Sequence, residues 1–570
     1  MQTFRRNPSS RATKLIGILR ELGLPDEVAE SLTGKSPEEI LQSGDVPEEL
    51  RYRALAQMYG MPFVNPDETP PDQRVIGLLP NTLISSFNVF PFRLEGNELW
   101  VLTATPGDLQ SLNEVRQVLS RENRRLKPAV TTPSALKRLI EQHRMRNVTT
   151  EQLRQYSETR KQQKETPAGT PKPQTDEGPI AAYVNGLIRN AILHGASDIH
   201  IEPTGDTLRV RMRIDGRLAV IDENVPPNLA PEVITRIMIM ADMDIAERRI
   251  PQDGRITFRD GEHEVNLRVN TGPVKVGHKA GESQQVVMRL LPREDEIPKL
   301  EDLGFLPDVL EQFEKAASAA NGLILVTGPT GSGKSTTLAA IVNEIATDER
   351  KTISVEDPVE YQIPGVVQTQ VNEAAGYTFA VALRSFLRQD PDVIYVGEIR
   401  DPETASIAIE AALTGHLVFG TLHTNDAVEA VSRLEKLGVE RFNLSSSLRA
   451  VLAQRLVRKV CPRCRAPHPE AERYARVMEQ ELGTKVDPAK ITKGRGCPHC
   501  RNTGYKGRTA IHEFFVVDRE IAQAIALGED TTLLSDRAIA RGMRTLRKDG
   551  YLKVLNGLTT PEEVIAASLE

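Results

Sequence analysis

Residues 323–336 read Leu-Ile-Leu-Val-Thr-Gly-Pro-Thr-Gly-Ser-Gly-Lys-Ser-Thr, and this order decides the fold of the region around them. The apolar run Leu323 to Val326 has the length and character of a buried strand. Gly328, Pro329, Thr330, Gly331, Ser332, Gly333, Lys334 and Ser335 then form a phosphate-binding loop, and Thr336 opens a helix-favouring stretch. The three glycines let backbone N–H groups turn inward around phosphates. Lys334 offers a point charge to the β- and γ-oxygens, and the Ser335 hydroxyl can ligate Mg²⁺ at a helix N-terminus. The pattern sits in the strand-to-helix setting that its mechanism requires, so it implies binding of ATP or a similar triphosphate with magnesium.

Outward from this loop, strands alternate with helical stretches from about residue 300, the mark of a mostly parallel α/β sheet. Four strand candidates end in chemically capable residues: Val326 before the loop, Val355 before Glu356-Asp357, Val396 before Gly397-Glu398, and Phe419 before Thr421 and His423. Ligands of open parallel sheets bind beyond the carboxyl ends of the strands, so the four motifs are expected to converge. Glu398 ends a Walker-B-like strand, where it can hold a magnesium-bound water or orient the attacking one. Glu356, Asp357 and Glu360 supply a second acidic group, and which of the carboxylates acts as the base is left open. His416 and His423 are expected near opposite ends of one strand, with His423 the candidate for sensing the γ-phosphate.

The chain has 570 residues, enough for three or four domains, and a formal net charge of −6 from 72 Lys+Arg and 78 Asp+Glu. No global basic field is available, which disfavours a nucleic-acid partner. No apolar run approaches the 18 or so residues of a spanning helix, and the start, MQTFRRNPSSRATK, lacks the apolar core of a signal peptide; a cytoplasmic protein is expected. Residues 1–147 read as a small α+β module, with a helix through Leu15, Ile16, Ile18 and Leu19 before Gly23 and a strand at Leu99–Leu102. Residues 148–178 read as a flexible linker; its stretch 154–178 has no branched aliphatic residue, and about 25 such residues would reach roughly 25–30 Å. Residues 179–300 read as an α+β domain: a helical stripe Ile180, Tyr183, Val184, Leu187, Ile188 and Ala191 ends near Gly195, and two alternating strands follow. The second presents Arg209, Arg211 and Arg213 on one face.

Every cysteine of the chain lies in one of two Cys-x₂-Cys knuckles, Cys461-Pro462-Arg463-Cys464 and Cys497-Pro498-His499-Cys500. Four thiolates so arranged suit tetrahedral Zn²⁺, and a closed Cys₄ shell leaves no position for substrate, so the site is structural. The long spacing between the pairs predicts a helical insertion at 470–482. The module spans 458–508 and a helical subdomain, 509–570, follows within the 301–570 domain.

The phosphate loop, Ser354-Val355-Glu356-Asp357-Pro358-Val359-Glu360, Val396-Gly397-Glu398-Ile399-Arg400-Asp401, and Thr414-Gly415-His416 through Thr421-Leu422-His423-Thr424-Asn425 together resemble the aspartate, Walker B and histidine boxes of the secretion-superfamily hexameric ATPases, which drive type II secretion and type IV pilus assembly. The resemblance runs from about 178 to 570. It implies a RecA-like P-loop NTPase core preceded by a PAS-like α+β domain, a six-membered ring, and ATP bound between the two domains joined near residue 300. It further implies that arginines of the preceding domain reach the phosphates as fingers: Arg211 and Arg213 match an Arg-x-Arg-x-Asp-Gly segment ending at Asp215-Gly216, and Arg255 lies in Pro251-Gln252-Asp253-Gly254-Arg255. The zinc module resembles that of the assembly and secretion members, whereas retraction members typically lack it.

Tyr59-Gly60-Met61-Pro62-Phe63-Val64 resembles the N-terminal domain of the same ATPases, which implies docking on an inner-membrane platform and a location peripheral to that membrane. Some relatives bind cyclic di-GMP through an Arg-Leu-Gly-centred motif near their start, which Leu15-Ile16-Gly17-Ile18-Leu19 matches in part. A scaffold that binds nucleotide without turnover would need a missing catalytic group, and a nucleic-acid translocase on a related ring would need basic pore loops.

Overall fold

The computed structural model describes residues 8–140 and 178–568, apart from positions 44–45, 67, 70, 73–74, 76–77, 122–123, 205–206, 261–262, 277–278 and 292–296. The expected linker, 148–178, lies outside the described residues except for Gly178. Near the start, helices Pro8–Glu21, Asp26–Ser31, Pro37–Gln42 and Glu48–Tyr59 close around Leu15, Leu19, Leu32 and Ile40. A second core, built on Phe90, Phe92, Leu99, Val101 and Val115, belongs to strands β1 (Val89–Glu95), β2 (Glu98–Thr103) and β3 (Arg125–Val130). The expected helix and strand are both found, and each has a hydrophobic cluster of its own.

The apolar stripe from Ile180 to Ala191 forms the helix Pro179–His194, which stops where Gly195 takes left-handed backbone at φ 62°. Six antiparallel strands follow: β4 (Ala196–Pro203), β5 (Leu208–Ile214), β6 (Arg217–Val225), β7 (Gln252–Asp260), β8 (His263–Val276) and β9 (Lys279–Leu290), in sheet order β6-β5-β4-β9-β8-β7. Ile199, Ile201, Val210 and Met212 join the core under helices Pro179–His194 and Ala230–Met240. Strand alternation therefore leaves Asp198, His200 and Glu202 on the other face beside Arg209, Arg211 and Arg213. Asp215 and Gly216, at φ 49° and 84°, form the tight turn between β5 and β6.

The largest sheet has seven strands: β10 (Gly322–Thr327), β11 (Thr352–Glu356), β12 (Val366–Gln370), β13 (Val393–Val396), β14 (Leu417–Leu422), β15 (Leu448–Val460) and, after the short pair β16 (Arg465–Pro467) and β17 (Thr492–Gly494), β18 (Tyr505–Val516). Its order is β12-β11-β13-β14-β10-β15-β18, parallel throughout except for β18, which runs antiparallel to β15. Strands β10, β11, β13 and β14 are buried along their whole length, as strands covered on both faces must be. Helix Ala471–Leu482 fills the interval between the cysteine pairs, and helices Arg519–Leu527, Thr531–Ala540, Leu546–Leu555 and Pro561–Ser568 follow β18. His416 and His423 flank β14 immediately before and after it, as expected.

Asp549 and Lys553, one helical turn apart in Leu546–Leu555, are fully buried and paired, and the Lys553 ammonium also donates to the Ala510 carbonyl at 2.7 Å. Removing one partner strands the other as an uncompensated buried charge. Asp549→Ala is expected to cost about 3–5 kcal/mol, read from urea denaturation of the full chain.

Candidate nucleotide-binding site

β10 delivers the chain into the loop at Gly328, and Gly333 caps the helix Lys334–Ile345. Gly328, Gly331 and Gly333 sit at φ 147°, 81° and 89°, where side chains are strained. A Cβ on Gly328 would lie 2.5 Å from the Gln454 carbonyl oxygen and 2.6 Å from the Ser332 hydroxyl, and one on Gly333 would lie 2.8 Å from the Gln454 amide nitrogen. The Ser332 hydroxyl is buried within this cradle and finds no hydrogen-bond partner there. The Lys334 ammonium folds over the loop, donating to the carbonyls of Gly328 at 2.8 Å and Pro329 at 3.2 Å. A bare cradle, an unmatched hydroxyl and a lysine held only by carbonyls fit a phosphate chain. Thr336 reaches outward to the Tyr361 hydroxyl at 3.1 Å.

Glu356 and Glu398 lie at the ends of neighbouring strands, whose backbones pack closely because Gly397 has no side chain: a Cβ there would lie 3.1 Å from the Glu356 Cα. Glu356, at the end of β11 and 5 % exposed, accepts from the Ser354 hydroxyl at 2.7 Å and the Gln368 amide at 2.8 Å. Burial raises its pKa, and these two donors oppose the rise. Glu398 accepts from His423 Nε2 at 2.9 Å and pairs with Arg400 at 2.6 Å. Burial lowers the His423 pKa, the Lys334 charge lowers it further, and Glu398 opposes both. Burial likewise lowers Lys334, with Glu398 the first charge acting against it and Glu360 another. Glu398 and Glu360 thus act on Lys334, His423 is bonded to Glu398, and Glu356 lies at the end of the neighbouring strand in the field of Glu360.

The candidate arginines lie elsewhere. Arg211 pairs with Glu202, and Arg213 donates to the Gly216 carbonyl at 3.0 Å and faces Asp198 at 3.6 Å. Arg255 is exposed on β7 opposite Arg268. Among the described residues, none of the three bonds to residues 328–336, Glu356 or Glu398.

Three buried residues that no motif marks brace the phosphate loop and the segment after His423. Gln454 on β15, 2 % exposed, donates to the Ser332 carbonyl at 2.8 Å and accepts from the Thr337 hydroxyl at 2.8 Å. Its neighbour Arg455, 4 % exposed, donates to the Asn425 carbonyl at 2.7 Å, just beyond His423. Glu513 on β18 accepts the Ala427 N–H at 2.9 Å and the Leu546 N–H at 3.3 Å. The available signal was the pair Gln454-Arg455 interrupting the apolar run Ala450–Leu456. Burial pushes the Glu513 carboxyl up to about 7, above its unfolded value of 4.5. Because the folded state holds this proton more tightly, stability falls as pH rises from about 4.5 to about 7, by roughly 3 kcal/mol. Glu513→Gln is expected to flatten that part of the curve, read as Tm against pH.

At the other end of β15 the four sulfurs lie within 4.8 Å of one another, with Cys461–Cys497 and Cys464–Cys500 both at 3.8 Å and Cys497–Cys500 at 3.7 Å. A tetrahedron with Zn–S bonds near 2.3 Å has S–S edges of about 3.8 Å, whereas a disulfide needs about 2.05 Å. The donor set therefore fits Zn²⁺. The N–H groups of Cys497 and Gly504 point at the Cys500 sulfur, each at 3.2 Å, as they would at a thiolate ligand.

Residues 173–566 match the Type II/IV secretion system protein family, and residues 59–149 match the MshEN domain. The chain belongs to the type II/IV secretion system protein family. It is 47 % identical over 542 residues to the type IV pilus assembly ATPase PilB of Thermus thermophilus, covering 94 % of this chain and 59 % of that protein. The chain thus spans less than two thirds of that relative's length. It is also 47 % identical over 399 residues to type II secretion system protein E of Aeromonas hydrophila, covering 69 % of this chain and 77 % of the relative. Among solved structures, the Legionella pneumophila ATPase DotB superposes with a TM-score of 0.51 at 25 % identity, over 70 % of this chain and 97 % of that one. The seven-stranded domain is accordingly a RecA-like core of the type II/IV secretion system protein family, and an MshEN domain lies near the N-terminus. Among the described residues, no helix is long and apolar enough to cross a membrane.

Proposed function

We propose that this chain hydrolyses ATP in a ring of six copies and turns that hydrolysis into motion of a secretion or pilus-assembly machine at the inner membrane. The observation that carries the reading is the bare glycine cradle of residues 328–333, whose Lys334 lies in the field of Glu398, itself bonded to His423. Residues Gly328 to Thr336 hold the phosphates through N–H groups and Lys334. Ser335 and Glu398 are the groups that would hold Mg²⁺, which when bound neutralises charge on the β- and γ-oxygens. One of Glu398, Glu356 and Glu360 orients the attacking water and takes its proton; the raised pKa of Glu356 suits it to accept one. His423, bonded to Glu398, reports the γ-phosphate to the loop that follows it. Arg211, Arg213 or Arg255 closes on the nucleotide across the cleft between residues 179–300 and 301–570, or from a neighbouring copy, and stabilises the charge of the transition state.

Family membership and the relatives' names support the remaining assignments. Residues 1–147 dock on inner-membrane platform proteins, residues 148–178 tether that module, and the zinc module at 458–508 and helices within 509–570 complete the motor. The protein works in the cytoplasm, peripheral to the membrane, with no nucleic-acid partner. The test is phosphate release by the purified oligomer with ATP. Release that depends on Mg²⁺ is expected, and no release with magnesium present overturns the proposal.

A further inference from the structure

Thr327 closes β10 and stands directly before Gly328, whose carbonyl accepts the Lys334 ammonium at 2.8 Å. Its side chain is fully buried, at the end of an apolar run where valine would pack as well, so its hydroxyl needs a partner. It finds one in the loop after β14. The Thr424 N–H donates to Thr327 Oγ1 at 2.9 Å, and the two hydroxyl oxygens lie 2.7 Å apart. Thr424 spends its one hydroxyl proton on the Asp426 carbonyl at 2.8 Å, so across the short contact Thr327 is the donor and Thr424 the acceptor. The Leu422 carbonyl, at 3.2 Å, is a longer second acceptor for the Thr327 proton. Each threonine thus gives one hydrogen bond to the other, in a buried reciprocal pair.

The residues around Thr424 are pinned in turn. Thr421 donates from its hydroxyl to the Gly397 carbonyl at 2.6 Å, and its own carbonyl accepts the Ile399 N–H at 3.0 Å, so it holds the backbone on both sides of Glu398. Beyond Thr424, Arg455 bonds the Asn425 carbonyl and Glu513 accepts the Ala427 N–H. His423 stands between these pins, exposed and bonded to Glu398 at 2.9 Å. Thr421 therefore ties this segment to the strand end that carries Glu398, and Thr327 ties it to the residue from which the phosphate loop springs.

On the reading of this site as an ATPase, we propose that Thr327 is a positioning residue for hydrolysis: its hydroxyl, paired with Thr424, sets His423 and Glu398 in register with the phosphate loop. Thr327 acts through Thr424 and His423, and leaves the holding of nucleotide to residues 328–336. Its hydroxyl therefore serves the rate of the chemical step and not the affinity for ATP.

The test is steady-state and single-turnover phosphate release by the full chain with Mg²⁺ and ATP, with nucleotide affinity titrated separately. Thr327→Val keeps the shape of the side chain and removes the hydroxyl. It is expected to lower kcat by about 10- to 100-fold, the size of effect that a slightly misplaced catalytic group produces, and to leave ATP affinity unchanged because Lys334 and the glycine cradle are untouched. Thr327→Ser keeps the hydroxyl and is expected to recover most of the rate. Thr424→Val reaches the same pair from the other side while its N–H still meets Thr327; it is expected to match Thr327→Val, and the double variant to fall no further than either. In a His423→Ala background, Thr327→Val is expected to cost nothing more. Wild-type kcat in both valine variants overturns the assignment, as does a loss of kcat matched by an equal loss of affinity or not recovered by serine. An equal loss with and without His423 overturns the route through that residue. No release by the wild type overturns the ATPase reading and this assignment together, whereas the other outcomes overturn this assignment alone.

Discussion

Glu398→Gln lowers ATP turnover by about 10²- to 10³-fold while nucleotide binding survives, because the amide keeps the shape of the side chain but can neither balance a cation nor take a proton from water. The amide oxygen still accepts the His423 Nε2–H that Glu398 receives at 2.9 Å, so the local fold stands. Lys334→Ala is expected to fall at least as far in turnover and to lose affinity too, since its ammonium is the cation that now bridges the carbonyls of Gly328 and Pro329. Steady-state phosphate release with a separate nucleotide titration divides the two effects. Unchanged turnover in Glu398→Gln would move the catalytic role to Glu356 or Glu360.

The second large effect concerns the metal. Structural Zn²⁺ contributes about 10–16 kcal/mol to the folding of small zinc modules, far more than the short strands β16 and β17 can supply alone. Metal analysis of the purified chain is expected to give about one zinc per chain. Chelation is expected to melt residues 461–504 and leave the main sheet standing, because β15 and β18, which lead into and out of the module, are joined by a register running from Ala450–Val516 to Val460–Tyr505. Cys497→Ser is expected to reproduce the loss without a chelator. A chain that is metal-free and still protected from exchange across 461–504 contradicts the assignment.

Legibility in the sequence followed the range of the interaction. Strands β10 and β13 could be read because burial on both faces favours an apolar run, and the helix at Ala471–Leu482 because a closed four-cysteine shell leaves the intervening chain to fold on its own account. The placing of Glu356, Glu398 and His423 at the same edge of the sheet was inferable from the rule that ligands of parallel sheets bind beyond the carboxyl ends of the strands. Gln454, Arg455 and Glu513 were not, since each acts on a carbonyl or N–H far away in sequence, and no spacing encodes which main-chain group a buried side chain will satisfy. The roles of Arg211, Arg213 and Arg255 were likewise out of reach, because their sheet places them and the nucleotide loop on separate bodies of the chain.

One strand links the two ends of this machinery. β15 runs unbroken from Leu448 to Val460; Gln454 and Arg455 clip the nucleotide loop and the segment after His423, while Arg458 and then Cys461 lie further along the same rod. Seven residues of extended chain separate Gln454 from Cys461, about 23 Å at strand rise. The phosphate cradle and the cysteine knuckle thus hang on one length of backbone, whose pairing with β18 shifts register between Arg458 and Val460.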